Sequence, residues 1–167
     1  YSLLKQDGPS VEDRLRCAAR MYDPDLIILH RDSDSADATP RVEECHRAAQ
    51  SLNIEHAIPC VPVRMSEAWF LFDDEAIRAA AGRKNGSVDL QLPTPREAEQ
   101  IANPKSRLED AILLASEAKG RRLVKARRRI GSSLHRLAEL IEDYSPLRES
   151  QSFSNFEDAL RELVQRT

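Results

Sequence analysis

Apolar and polar residues fall along this chain in two rhythms. After Ser10, which stands at capping-box distance from Asp13, the residues Val11, Leu15, Ala18 and Ala19 recur at helical intervals. Asp23-Pro24 ends that helix. The rhythm then changes to an unbroken apolar run, and Asp25–Leu29 reads as a buried strand. Thr39 and Pro40 supply the N-cap and first position of a second helix, with Val42, Cys45, Ala49 and Leu52 on its buried face. Ile54–Val63 reads as a second strand, edged by Pro59 and Pro62. Strand, helix and strand within about forty residues form a βαβ unit, so the two strands are expected to be parallel and the class α/β.

Helical periods dominate the remainder of the chain. Ser66–Phe72, the most apolar stretch, predicts a short helix against the sheet, and Asp73 predicts the cap of a helix over Glu75–Ala81. Arg83–Pro95 is polar, holds Gly86, Pro93 and Pro95, and reads as a surface loop. From Pro104 the chain is expected to be helical to its end. One helix runs to about Glu117, a basic run covers Lys119–Arg129, and two more helices come after it. Ser154 and Glu157 have the spacing of a capping box for the last of these, with Phe153, Phe156, Leu160 and Leu163 on one face.

A length of 167 residues suits one domain around one core, in which 104–167 forms the helical C-terminal part. No apolar run approaches the length of a membrane span, which excludes an integral membrane class of the helical kind. Net charge is only −3, so any affinity for nucleic acid must come from how charge is distributed. The three cysteines are odd in number and lack C-x-x-C spacing, which argues against a disulfide framework or a zinc site. No secretory leader pattern opens the chain, and a reducing cytoplasm is the expected setting.

The first candidate chemistry lies where the first strand ends, in LIILHRDSDSAD. Ligands in an open parallel sheet bind beyond the carboxyl ends of the strands, and Asp32 and Asp34 sit there. Residues two apart in extended chain point the same way, with Cα atoms roughly 6–7 Å apart. Two such carboxylates can converge on a hard divalent cation such as Mg²⁺ or Mn²⁺. Asp37 is farther along the loop and a weaker candidate. D-x-D alone is a weak signal, because Asp and Ser after a strand are also turn and cap chemistry. The stretch PVRMSEAWFLFDDEAI leaves the same sheet edge and adds Glu67, Asp73 and Asp74. Glu67, between apolar neighbours, is costly to bury without a role; the alternative is that it caps a helix. Asp73 is better explained as an N-cap.

The second candidate is the basic run, with seven cations in the eleven residues Lys119–Arg129. On a helix Arg121, Lys125 and Arg128 share a face, with Arg122 beside them. Such a stripe can neutralise phosphates of nucleic acid without reading sequence. It could equally be a solvated face pairing with the acids of Glu139–Asp143. Few aromatic residues are available for base stacking. The four histidines are scattered and read as structural or exposed.

Four stretches, DLIILHRDSDSAD, PVRMSEAWFLFDDEAI, NPKSRLEDAI and SFSNFEDALREL, together resemble a Toprim-like family of small bacterial proteins. That family is catalogued as a domain of unknown function. It is found near genes for ATPases of the overcoming-lysogenization-defect type. The resemblance runs from about Asp25 to Leu163. It implies a Toprim-like, Rossmann-like sheet between helices, carrying an acidic Mg²⁺ site for cleaving or joining nucleic acid, and an ATPase subunit as partner. It assigns the D-x-D to Asp32 and Asp34, the E-A-W glutamate to Glu67 and the N-P-K lysine to Lys105. Lys105 could then steady a phosphate, although it is also one of many lysines near a helix start.

The chain departs from that pattern in its first strand and its glutamate, which have no counterpart here. With Tyr1 rather than Met at the start, a truncated N-terminus is the expectation; the alternative is a member that lacks one ligand and is inactive. The favoured reading is a Mg²⁺-dependent nuclease, or related phosphodiester enzyme, acting with an ATPase in phage defence or DNA processing. The alternatives are an inactive Toprim-like module that binds protein or nucleic acid, and a phosphohydrolase of small nucleotides.

Overall fold

The computed structural model describes residues 10–166. The opening YSLLKQDG, and with it the expectation of truncation, lies outside them. Among the described residues the chain forms one two-stranded parallel sheet and eight α-helices. No helix there is long and apolar enough to cross a membrane.

The order strand, helix, strand and the parallel pairing are as the pattern predicts, but the first strand runs Ile27–His30 instead of Asp25–Leu29 and none of its residues is fully buried. Helix α1 (Val11–Tyr22) is capped by the Ser10 hydroxyl, which accepts from the amide of Asp13, and stops at Asp23 in the left-handed region. Strand β1 (Ile27–His30), helix α2 (Thr39–Ser51) and strand β2 (Ala57–Cys60) come next. The strands pair in parallel, with Ile27 opposite Ala57 and His30 opposite Cys60. One face of the sheet carries Ile27, Leu29 and Ala57 against Val11 and Leu15 of α1 and Ala48 and Ala49 of α2. The other is covered on the β2 side, where Cys60 meets Trp69 and Leu147, while Ile28 of β1 remains about half exposed at 48%.

Two further boundaries differ from expectation, for physical reasons. The second strand is shorter than Ile54–Val63. Ile54 still belongs to the turn that closes α2, its amide donating to the carbonyl of Ala49, and beyond Cys60 the chain pairs with a loop instead of a strand. At the start of α2 the N-cap position is Ala38, which has no side chain to offer. The carboxylate of Asp37 substitutes by accepting from the amide of Thr39. These hydrogen bonds hold Asp37 ionised below the usual carboxylate range.

The larger core lies outside the sheet. A short 3₁₀ turn (Ser66–Phe70) leads into helix α3 (Asp74–Ala80), whose N-cap is Asp73, accepting from the amide of Ala76. The long loop is pinned to the helices. Arg78 of α3 donates to the carbonyl of Val88, Arg107 donates to those of Leu90 and Gln91, and Leu90 is buried. At the end of the stretch expected to be loop, Thr94 forms a reciprocal capping box with Glu97 for the one-turn helix α4 (Pro95–Ala98). Helices α5 (Pro104–Ala115), α6 (Arg121–Arg128) and α7 (Ile130–Leu140) complete this part. Ile77, Leu108, Ala111 and Leu137 are fully buried at its centre.

The last helix, α8 (Gln151–Arg166), begins one turn before the capping box expected at Ser154. Ser154 is inside the helix, and Glu157 is used instead in ion pairs with Arg148 and Arg161. Ser150 precedes the first turn, its carbonyl accepting from Ser154 and its hydroxyl from the amide of Phe153. Phe153 and Phe156 pack against Trp69, the former edge-on at 5.2 Å between ring centres.

Candidate functional site

The chain leaving β1 and the chain leaving β2 do not diverge. They continue side by side past the sheet, joined by a ladder of loop hydrogen bonds. Ser33 donates to the carbonyl of Pro62 at 3.1 Å, Asp34 to that of Arg64 at 2.9 Å, and Arg64 back to that of Ser35 at 2.9 Å. The buried Ser33 hydroxyl closes the knot, accepting from the amide of Arg64 at 2.7 Å and donating to the carbonyl of Ser35 at 2.6 Å. Two non-glycine residues sit in left-handed backbone at this crossing, Asp34 with φ 55° and Arg64 with φ 60°. Such conformations cost of order 1–3 kcal/mol each, and they cluster at functional sites where the surrounding structure enforces them.

This ladder sets the positions of the candidate carboxylates. Asp32 accepts from the amide of Ser66 at 2.8 Å, so it caps the 3₁₀ turn from the opposite strand end. Neither Ser66 nor Glu67 acts as that cap. Glu67 is the next residue in the turn, half-buried, and its carboxylate bonds to no described residue. The Asp32 charge also lies beside Cys60: burial first, and then that charge, pushes the Cys60 thiol up to about 11. His30 is 3.9 Å from Asp32. Asp34 lies on the rim, largely exposed, and meets Arg41 at 3.9 Å. Arg41 is held more closely by Glu44, at 2.9 Å, which raises the pKa of its guanidinium.

Lys105 is exposed in the first turn of α5 and forms no ion pair with a described residue. Among the described residues no group of three or more His, Cys, Asp or Glu side chains is placed to hold a metal ion. Asp32 is thus hydrogen-bonded to the residue before Glu67, and Asp34 lies in the same loop, without a closed three-carboxylate shell. Their hard oxygen donors suit Mg²⁺ or Mn²⁺, and Mg²⁺ ordinarily uses one or two carboxylates together with waters and substrate phosphates.

Sequence reasoning missed Ser33 and Arg64. The Nε of Arg64 is buried with no hydrogen-bond partner, so one guanidinium nitrogen beside the knot is unsatisfied. Nothing in PVRMSE marks Arg64 as left-handed. The alternation of Asp and Ser in DSDS was the available sign that Ser33 faces inward between two outward acids.

The basic run forms α6 as expected, entered at Gly120, whose φ of 54° favours glycine. Its cations are all exposed or half-exposed, and none forms an ion pair with a described residue, including the acids of Glu139–Asp143. The pairing that would make the run a self-neutralised face is therefore not formed.

No protein-family model, curated protein or solved structure matches this chain. The resemblance to the Toprim-like family rests on its four motifs.

Proposed function

We propose that the protein acts on the phosphodiesters of nucleic acid with Mg²⁺ or Mn²⁺ bound at the strand-exit loops, and that it works with an ATPase subunit, as the Toprim-like resemblance implies. The observation that carries this reading is the hydrogen bond from the amide of Ser66 to Asp32, which joins an acid at the end of β1 to the residue before Glu67, beyond the carboxyl ends of two parallel strands. Asp32, Asp34 and Glu67 would hold the cation. When bound there it would offset phosphate charge and activate water. Asp32 is oriented by the Ser66 amide, which engages one of its oxygens. Glu67 contributes a carboxylate committed to no other partner, and Asp34 reaches the loop's open side, where substrate would approach. Lys105 would steady a phosphate, and Arg121, Arg122, Lys125 and Arg128 would hold the strand by charge.

A second reading is a non-enzymatic module that binds nucleic acid or protein, for which the exposed cations of α6, without ion-pair partners among the described residues, would suffice. Incubation of the purified protein with single- and double-stranded DNA and RNA in Mn²⁺ separates the two. Cleavage that is lost in both Asp32→Asn and Glu67→Gln is the expected result. Cleavage that survives Asp32→Asn would defeat the proposed site, and a protein that binds but never cleaves, with or without an ATPase partner, would leave the module.

A further inference from the structure

The cations of α6 do not all face one way. Spaced at 100° per residue, Arg121, Lys125 and Arg128 form the outer stripe, whereas Arg122 and Arg129 turn toward α7. There they border a cavity of about 470 Å³, also lined by the end of α3 and the last turn of α5. Arg122, Lys125, Arg129 and Arg136 line it, with the hydroxyls of Ser132 and Ser133. No Asp or Glu lines it, and neither does any aromatic residue, Asn or Gln. None of the four cations forms an ion pair with a described residue, and neither serine hydroxyl has a hydrogen-bond partner among them.

Four uncompensated cations around one recess repel each other, and an anion relieves that repulsion. Guanidinium forks and hydroxyls are donors that match phosphate oxygens. The cavity is far larger than one phosphate group needs, yet no aromatic side chain lines it as a platform for a base. We infer that this recess is a binding site for closely spaced phosphates, taken either from a free polyphosphate or from the phosphorylated end of a nucleic-acid strand. It shares Arg122 and Lys125 with the cations proposed to hold the strand, but not Arg121 or Arg128, and it does not depend on the carboxylate loop.

Calorimetric titration of the whole protein with tripolyphosphate at low salt tests the site. Arg122→Gln with Arg136→Gln should weaken binding by about tenfold or more, because two positive charges are removed from the recess. Arg121→Gln with Arg128→Gln, which removes equal charge from the stripe, should change it by no more than about twofold. The charge-conserving pair Arg122→Lys and Arg136→Lys should retain most of the affinity, which separates lost charge from a lost fold. Competition by a 5′-phosphorylated oligonucleotide, but not by its 5′-hydroxyl counterpart, would assign the ligand to a strand end. Competition by neither would assign it to free polyphosphate. Absence of tripolyphosphate binding, or an equal loss in the pocket and stripe variants, would overturn the inference.

Discussion

Glu99→Ala is expected to destabilise the protein by about 3 kcal/mol, since charged hydrogen bonds contribute roughly 1.5–3 kcal/mol and the donors left behind are buried. Glu99 is only 6% exposed. Its carboxylate accepts from the Ser150 hydroxyl at 2.6 Å, the Ser152 amide at 3.0 Å, the Gln151 amide at 3.3 Å and the Ser152 hydroxyl. It therefore caps α8 from α4's C-terminal edge, placing negative charge at the positive end of the longest helix. The same network reaches Trp69, whose indole Nε1 donates to the Ser152 oxygen at 3.1 Å. Trp69 is the only tryptophan, so its fluorescence during urea unfolding reports on the junction directly. Glu99→Gln should cost less, because an amide oxygen still accepts. A loss below about 1 kcal/mol in Glu99→Ala would mean that water replaces the carboxylate, and that the junction is wetter than its burial implies.

Replacing Arg121, Lys125 and Arg128 together with Ala is expected to reduce the slope of log affinity against log salt by about 2.7 on duplex DNA, at about 0.9 for each phosphate no longer neutralised. Affinity at low salt should fall by about two orders of magnitude. The reason is that these side chains are exposed and unpaired, so a phosphate would meet them without first displacing a carboxylate. A slope unchanged from the parent protein would make the stripe a solvated face.

How far the fold was legible depended on whether each signal was local. Ser10 and Asp73 act on residues within four positions, and α1 and α3 form where they place them, whereas the run Asp25–Leu29 marks a strand that starts only at Ile27. The start of α8 was misplaced because Ser154 and Glu157 have the spacing of a cap, whereas the helix is opened by Glu99, about fifty residues away. The second strand was drawn too long because a ladder exists only where a partner runs beside it. β1 offers four residues, and beyond them the chain pairs loop to loop. At the candidate site the acids were visible as D-x-D and E-A-W, but the knot of Ser33 and Arg64 that orients them was not. Arg64 adopts left-handed backbone because its neighbours across the knot hold it there, not through any propensity of its own. The inward turn of Arg122 and Arg129 likewise depends on where α7 packs.

The central claim, that the loops beyond the strands bind a divalent cation through Asp32, is tested most directly by thermal unfolding with and without Mn²⁺, in the parent protein and in Asp32→Asn. The variant keeps an oxygen able to accept from the Ser66 amide, so the loop retains its hydrogen bond and loses mainly charge. Mn²⁺ at a hundredfold excess over its dissociation constant should stabilise the parent by about 2.7 kcal/mol, because a ligand that binds only the folded state shifts the equilibrium by that amount. The same addition should leave Asp32→Asn unmoved. Equal stabilisation of both proteins, or none in the parent, would contradict the claim.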